Sequence, residues 1–202
     1  MARPVYNLFE MAKGRVASFV FGLLLALCGT VSAAEETPAI SIEPAPLTIK
    51  AFKEFGQVVE TSDARKATSE DVVHKYWAGL ARTQIHGEID LGLLTVKSRE
   101  RMVAEMRRHS KTTKVIVSLK DDYILLVAPP TPPNARKAFP DASKVRVFMV
   151  AKDQVVVLKK GTWHAMPFPQ GKEGLFLLAV RDGTAKSDSR ERPFRKGEVI
   201  KF

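Results

Sequence analysis

The sequence predicts an all-β domain, an antiparallel sandwich or barrel that begins with one short helix. Beyond Asp90 the apolar residues fall in short runs, and turn residues such as Asp121-Asp122 and Asp182-Gly183 separate these runs. Short strands at this spacing favour an antiparallel fold over a doubly wound α/β sheet. The predicted strands are Leu91–Val96, Thr113–Leu119, Tyr123–Ala128, Val145–Val150, Gln154–Leu158, Leu175–Val180 and Glu198–Phe202.

One short helix is predicted ahead of these strands. Thr48 has the side chain of an N-cap, and Gly56 is expected to end the helix in the left-handed conformation, before a strand at 57–60. The apolar residues that share one face of this helix are Ile49, Phe52 and Phe55. Farther along, the stretch 100–108 has the composition of a helix, whereas a barrel needs it extended. The sequence leaves both structures open.

The first 33 residues have the pattern of a secretory signal peptide. Basic residues precede the apolar run Val16–Leu27, and small residues lead to a cleavage site after Ala33. The run is shorter than the roughly 20 residues that span a bilayer as a helix. Lipidation at Cys28 is the lesser alternative, because the bulky Leu27 precedes it. We therefore predict a signal peptide at 1–33, a flexible lead-in at 34–46 and one folded domain at 47–202.

Composition limits the location and the chemistry of the protein. The chain of 202 residues has a net charge of +10 and one cysteine, Cys28, which cleavage after Ala33 would remove. Thiol catalysis and a disulfide scaffold are thereby excluded for the mature chain, and we expect export to the periplasm or secretion. Lys and Arg are scattered over predicted loops and strand ends, which indicates a solvated surface and no nucleic-acid partner. Membrane contact is expected only through an uncleaved signal or weak charge attraction.

The candidate site centres on a Gly-x-Trp-His segment that contains Trp163 and His164. Between two strands, such a segment brings an indole and an imidazole to the mouth of a barrel, where a small ligand can bind. The alternative is structural, with Trp163 capping the core and His164 bonded to a backbone carbonyl. The segment alone does not decide between them. His109, which precedes a predicted strand, is the second candidate.

The histidines also bear on a metal site. The chain has four of them, His74, His86, His109 and His164, and no two stand at the i, i+2 or i, i+4 spacing of a ligating pair. We therefore assign no cofactor. A divalent metal stays open, without a strong ligand motif to support it.

Several short pieces of the chain stand in the order of a known family. They are Pro46-Leu47-Thr48, Phe52, Phe55-Gly56-Gln57-Val58-Val59-Glu60, Arg108-His109, Val127-Ala128, Pro140-Asp141, Val147-Phe148 and Gly161-Thr162-Trp163-His164 with Pro167. Together they resemble the ureidoglycolate lyase family over most of 46–182, with a poor match at 61–90. The resemblance implies a cupin-like double-stranded β-helix barrel, a small carboxylate substrate and a homodimer. It also implies an enzyme of purine and allantoin breakdown, a lyase that splits ureidoglycolate into glyoxylate and urea.

The resemblance further implies roles for individual residues. His164 and His109 are the expected acid and base, because imidazole titrates near neutral pH. Arg108 or Lys114 is expected to hold the substrate carboxylate, with Trp163 beside it.

Three positions depart from the family pattern. Lys159 stands where many members have histidine, Lys114 where they have glutamine, and Arg107 where they have glutamate. A desolvated Lys159 with a lowered pKa is the candidate replacement for the missing histidine as base. The added cations and the export signal keep a second function open, an exported non-catalytic cupin that binds a small anionic ligand. A structural envelope protein without a ligand is the third.

Overall fold

Two β-sheets that pack face to face form most of the structure, which a computed structural model describes for residues 38–61 and 65–202. In chain order the strands are β1 (Ala39–Ser41), β2 (Ala45–Pro46), β3 (Gly56–Val59), β4 (Ser69–Glu70), β5 (Lys75–Tyr76), β6 (Ile89–Lys97), β7 (Met102–Val103), β8 (Glu105–Arg108), β9 (Lys114–Ser118), β10 (Tyr123–Ala128), β11 (Arg146–Val150), β12 (Val155–Leu158), β13 (Trp163–His164), β14 (Phe168–Pro169), β15 (Glu173–Arg181), β16 (Arg190–Pro193) and β17 (Val199–Lys201). The helices are α1 (Ile49–Phe52) and α2 (Thr184–Ser187), with a 3₁₀ turn at Ala142–Lys144.

The strands form two large sheets and two small ones. The larger sheet has the order β16-β8-β13-β10-β11-β2, and β14 also pairs with β10. The second large sheet has the order β3-β12-β9-β15-β6, in which all pairs are antiparallel. A three-stranded sheet β1-β17-β7 packs on the far side of the larger sheet, and β4 and β5 form a separate hairpin.

Strand β10 lies at the centre of the core and is buried on both faces. Its odd-numbered residues, such as Tyr123, point toward the five-stranded sheet, where the Tyr123 ring packs edge-on against Phe176. Its even-numbered residues, such as Leu126, pack on the opposite side with Trp163 and Phe168. Because side chains alternate along a strand, this one strand serves two hydrophobic clusters.

The predicted fold class, an all-β cupin-like barrel with a short N-terminal helix, is confirmed. Each of the seven predicted strands is present, and α1 begins at the predicted N-cap, where the Thr48 hydroxyl accepts a hydrogen bond from the Ala51 amide at 3.1 Å. Within 38–61 and 65–202, no helix has the length and apolar character needed to cross a membrane. The predicted signal peptide, 1–33, lies outside the described residues.

The prediction of a flexible lead-in at 34–46 is wrong from Ala39 onward, because β1 pairs with β17 and β2 pairs with β11. The Pro-rich composition of this segment is typical of a loop, but proline is also tolerated in edge strands such as β1 and β2.

The sequence left the stretch 100–108 open between helix and strand. In the structure it is extended as β7 and β8, because pairing with β17 and β16 supplies its backbone hydrogen bonds.

Gly56 does not adopt the predicted left-handed conformation. It begins β3 opposite Leu158, and a Cβ at this position would overlap the carbonyl oxygen of Val157. The glycine is therefore required by close backbone approach rather than by a turn.

Replacing Gly56 by alanine is expected to destabilise the fold by about 2–3 kcal/mol, because the new methyl group forces β3 and β12 apart. Urea unfolding of the variant measures this loss. Gly92→Ala is the matched control, since nothing lies within 4 Å of a Cβ built there. Equal midpoints for the two variants would contradict the steric explanation.

Candidate functional site

A cavity of about 530 Å³ lies between the two large sheets. Strands β6, β9 and β15 contribute Leu94, Lys114 and Leu178 to one wall, and β8 and β13 contribute Arg107 and His164 to the other. The remaining lining residues are Arg99, Met102, Val103, Ala104, Glu105, Ala165, Met166, Pro167, Phe168, Glu191 and Pro193. The cavity thus combines an apolar wall with a few charged groups, as small-molecule sites commonly do.

His164 is buried in the wall of this cavity as a neutral imidazole. Its Nδ1 lies 3.1 Å from the carbonyl oxygen of Thr162, and because a carbonyl only accepts, Nδ1 carries the proton. Its Nε2 therefore presents a lone pair, and this atom is buried with no hydrogen-bond partner among the described residues. Burial, followed by the charge of Lys114, holds the pKa of His164 well below its usual value. His164 is thus an unprotonated imidazole whose Nε2 lone pair is free to accept a hydrogen bond from a bound ligand.

Lys114 is the cation that faces this imidazole across the cavity. Lys114 is the first residue of β9 and pairs with Leu158 of β12. Paired residues share a face of the sheet, so the Lys114 side chain points into the barrel as Leu158 does. Burial, with a smaller contribution from the charge of Arg107, lowers the pKa of Lys114 to about 8. The ammonium group is therefore still charged at pH 7 and is poorly hydrated, so an anionic ligand group is its natural partner.

Arg107 is the second cation of the cavity. It lies directly opposite His164 in the β8–β13 register and opposite Glu191 in the β8–β16 register. One guanidinium nitrogen is 3.0 Å from a carboxylate oxygen of Glu191, and both side chains are partly exposed. The Arg107 guanidinium is therefore paired with a carboxylate. Lys114 is the cavity cation near His164 that has no such ion pair within the described residues.

The rim of the cavity is held by Arg99. Its guanidinium donates to the carbonyl oxygens of Met166 at 2.9 Å and Pro167 at 3.1 Å, and it stacks 3.5 Å from the centre of the Phe168 ring. These contacts fix the segment that follows His164. Arg99 is therefore a structural clamp at the cavity mouth.

His109 lies behind His164 and outside the cavity lining. The two imidazole ring centres are 5.3 Å apart, and Nδ1 of His109 donates to the backbone carbonyl of Asp188 at 3.0 Å. Burial is the main cause that lowers the pKa of His109. The Asp188 carboxylate in turn accepts from Ser110 and Lys111, which ties this loop to the end of α2. The structure therefore brings the two predicted histidines together, but only His164 of this pair lines the cavity.

Arg108 and Trp163 point away from the cavity, although both were predicted to bind substrate. Arg108 is buried and donates to the carbonyl oxygens of Thr131, Pro132 and Ala135, and it lies 5.0 Å from the Trp163 ring. Both side chains belong to the cluster on the far face of the larger sheet. Side chains alternate along a strand, so Arg108 points to the other face from Arg107, and Trp163 to the other face from His164. Arg107 and His164 are the members of each pair that line the cavity.

Lys159 lies in a different part of the molecule from the histidines. Its amino group donates to the carbonyl oxygens of Lys53 at 2.8 Å and Glu54 at 3.1 Å, just after α1. It lines a separate, open cleft of about 810 Å³ together with residues such as Gln57 and Arg82. The structure therefore does not bring Lys159 to the site where a base was expected.

The described part of the chain, 38–61 and 65–202, has no cluster of metal-ligating side chains. No group of three or more His, Cys, Asp or Glu residues in this part of the chain is arranged to hold a metal ion. His74 bonds to Ser69 and Asp71 in the β4–β5 hairpin and does not line the cavity that contains His164.

Sequence reasoning missed several residues of the cavity, among them Glu105, Glu191 and Arg99. One signal was available for Glu105. In an extended strand over 105–108, period-two alternation puts Glu105 and Arg107 on one face and Met106 and Arg108 on the other. Glu191 gave no such signal, because its position depends on pairing with a strand more than 80 residues earlier.

Comparison with known proteins identifies the family. A family model described as ureidoglycolate lyase matches residues 39–201. The chain belongs to the ureidoglycolate lyase family. Two curated proteins named ureidoglycolate lyase, from Burkholderia mallei strains NCTC 10229 and NCTC 10247, are each 30% identical over 154 residues, covering 73% of this chain and 85% of theirs. The resemblance stated from the sequence is thereby confirmed at the level of the family.

Solved structures provide more distant likenesses. The formate complex of Lactobacillus farciminis oxalate decarboxylase has a TM-score of 0.32 and 20% identity over 46% of this chain and 24% of that chain. The dTDP-6-deoxy-D-glucose-3,5-epimerase of Legionella pneumophila has a TM-score of 0.36 and 8% identity over 54% of each chain. Vicilin from Corylus avellana has a TM-score of 0.36 and 12% identity over 75% of this chain and 33% of that chain.

Proposed function

We propose that this protein is a carbon–nitrogen lyase that splits ureidoglycolate into glyoxylate and urea, a reaction of purine and allantoin breakdown. The observation that supports it best is the buried, unpartnered Nε2 lone pair of His164 in a cavity that also contains the cation Lys114. Membership of the ureidoglycolate lyase family supports the choice of substrate.

The charge of the cavity suits this substrate. Ureidoglycolate has a hydroxyl, a carboxylate and a ureido group on one carbon. Lys114, with a pKa of about 8, is charged at pH 7 and binds the carboxylate, and Arg107 adds a second donor. The carboxylates of Glu105 and Glu191 at the cavity wall are acceptors for the N–H groups of the ureido end.

One imidazole can move the proton that the reaction requires. Nε2 of His164 takes the hydroxyl proton, the C=O bond of glyoxylate forms, and the C–N bond breaks. The imidazolium then gives the same proton to the departing urea nitrogen, so atoms and charge balance without a further reactant. Burial and Lys114 disfavour the imidazolium, which makes it a strong acid for the second transfer.

The cellular location is part of the proposal. The apolar run after Arg15 and the small residues before Ala33 support export, so we propose that the reaction takes place in the periplasm or outside the cell. Cell fractionation followed by N-terminal sequencing tests this. A mature protein that begins at Ala34 supports it, and an unprocessed protein in the cytoplasm contradicts it.

The decisive experiment measures glyoxylate release from ureidoglycolate by the purified protein, first after chelation and then with added divalent metal. Turnover in either condition supports the lyase, and the comparison determines whether a metal contributes. Saturable binding of ureidoglycolate or another small carboxylate without turnover would replace the lyase by the alternative function, an exported anion-binding cupin.

Lys159 lies outside the cavity that contains His164. Its amino group donates to the carbonyl oxygens of Lys53 and Glu54, and its side chain lines the separate cleft. Replacing Lys159 by alanine is therefore expected to leave kcat and KM unchanged. Lys159→His is likewise expected to bring no gain. Steady-state kinetics of both variants test this, and a large loss in the alanine variant would restore Lys159 as a candidate base.

A further inference from the structure

An amine without a carboxylate partner lines the cavity between the two large sheets. Within 38–61 and 65–202 the Lys114 side chain forms no ion pair, although Glu105 and Glu191 line the same cavity. Lys114 is partly exposed, so the cavity leaves a way to its amine. A small molecule that enters the cavity therefore meets an amine that the protein itself does not occupy.

Burial gives this amine the reactivity of a nucleophile. An amine attacks a carbonyl carbon only after it has lost its proton, and a solvated lysine with a pKa near 10.4 is almost fully protonated at pH 7. The pKa of Lys114 is lowered to about 8, mainly by burial and then by the charge of Arg107. About 10% of its amine is then free of the proton at pH 7, about 200-fold more than in a solvated lysine. Desolvation beside another cation is typical of lysines that form Schiff bases.

Two other groups of the cavity suit a reaction at this amine. Nε2 of His164 is buried without a hydrogen-bond partner among the described residues and presents a lone pair, which can move a proton. Nε of Arg107 is likewise buried without a partner there, while an outer nitrogen of the same guanidinium donates to Glu191. Arg107 therefore has an N–H left to donate to a carboxylate.

We propose that Lys114 is a carbonyl-capture residue, whose amine forms a reversible imine with a small 2-oxo acid. The choice of glyoxylate as this acid rests on the proposed function, because glyoxylate is the product of that reaction. In glyoxylate the aldehyde carbon is bonded directly to the carboxylate carbon. A molecule whose carboxylate is held by Arg107 therefore has its aldehyde carbon close to the carboxylate end of the cavity, where the amine of Lys114 also lies.

The capture step balances without a further reactant. The Lys114 nitrogen bonds to the aldehyde carbon, and one electron pair of the C=O bond moves to the oxygen. Nε2 of His164 takes one proton from the nitrogen and gives it to the oxygen, which forms a carbinolamine. The hydroxyl group then leaves with the remaining proton of the nitrogen as water, and a C=N bond forms. Addition of water reverses the sequence and releases the aldehyde.

The imine links the product to the state of the site. While it is present, the cavity is occupied, and the ammonium group that the proposed lyase uses for the substrate carboxylate is consumed. Accumulated glyoxylate would therefore inhibit the enzyme reversibly through Lys114.

Reductive trapping tests the proposal. The purified protein is incubated at pH 7 with glyoxylate and sodium cyanoborohydride, which reduces an imine to stable carboxymethyl-lysine, and peptide mapping by mass spectrometry locates the product. We expect Lys114 to be modified about 100-fold faster than the other lysines, because its proton-free fraction is larger and Arg107 holds the carboxylate. Mapping also separates Lys114 from the terminal amine, whose usual pKa is near 8. Equal rates at all lysines would overturn the proposal.

Variants and a second aldehyde test the parts of the site. Lys114→Arg retains the charge without the nucleophile and should abolish the fast phase of labelling, whereas the matched control Lys159→Arg, in the other cleft, should retain it. His164→Asn should slow labelling at Lys114 about 10-fold or more. With acetaldehyde, which has no carboxylate, the preference for Lys114 should fall about 10-fold. An equal preference with both aldehydes, or a fast phase that persists in Lys114→Arg, would overturn the proposal. Near-ultraviolet circular dichroism verifies that each variant is folded.

The trapping experiment is independent of lyase activity, because glyoxylate is supplied directly. Labelling of Lys114 without turnover of ureidoglycolate would support the capture residue and contradict the lyase. Turnover without selective labelling would support the lyase and contradict the capture residue.

Discussion

Replacing His164 by asparagine is expected to lower kcat for glyoxylate release by about 10²–10⁴-fold. Asparagine retains a side-chain N–H that can donate to the Thr162 carbonyl, as Nδ1 of His164 does, but it has no counterpart of the Nε2 lone pair. The substrate carboxylate still meets Lys114, so KM should change much less than kcat. Steady-state kinetics with a glyoxylate assay measure both constants.

The control for this variant is an exposed histidine outside the cavity lining. His86→Asn removes an imidazole from the surface and should leave kcat unchanged. Urea unfolding verifies that His164→Asn is folded, because the residue is buried. A folded His164→Asn variant with normal kcat would show that another group moves the proton, and His109, 5.3 Å away between ring centres, would be the next candidate.

The strands could be predicted from the sequence because their information is local. Apolar runs such as Tyr123–Ala128 and turn pairs such as Asp121-Asp122 specify where a strand begins and ends, whichever strand it pairs with. The N-cap at Thr48 is likewise specified by its own neighbours. By contrast, β1 and β2 depend on distant partners, β17 and β11, and their composition resembles that of a loop.

The site was only partly predictable, and strand alternation explains why. His164 and Lys114 were named from the sequence, and the structure places both in the cavity. Arg108 was named from the resemblance, but the structure places Arg107 in the cavity lining and Arg108 on the other face of β8. The sequence left 100–108 open between helix and strand, so it could not indicate which of the two arginines lines the cavity. Lys159 follows the last residue of β12, where the chain turns toward α1, and its partners lie about 105 residues earlier. No local pattern contains that information.

Replacing Lys114 by methionine is expected to lower kcat/KM by about 10- to 100-fold, because a charge-assisted hydrogen bond to the substrate carboxylate is lost. The same variant is expected to be more stable than the wild type at pH 7. The pKa of Lys114 is lowered from 10.5 to about 8, which corresponds to about 3 kcal/mol of cost for holding the charged amine in the fold. Methionine fills a similar volume without that charge. Glyoxylate assays and urea unfolding measure the two effects.

The pH dependence separates this role of Lys114 from a purely structural one. Between about pH 8 and 10.5 the unfolded chain binds the Lys114 proton and the folded chain does not, so wild-type stability rises with pH through this window. Over the same range kcat/KM should fall as the ammonium group loses its proton. Lys114→Arg is expected to move the fall in kcat/KM to higher pH, because guanidinium stays protonated. In Lys114→Met, the part of the rise in unfolding free energy between about pH 8 and 10.5 that comes from Lys114 should disappear. A structural lysine would change stability alone, so an unaltered kcat/KM profile in both variants would remove Lys114 from the substrate site and leave the carboxylate to Arg107.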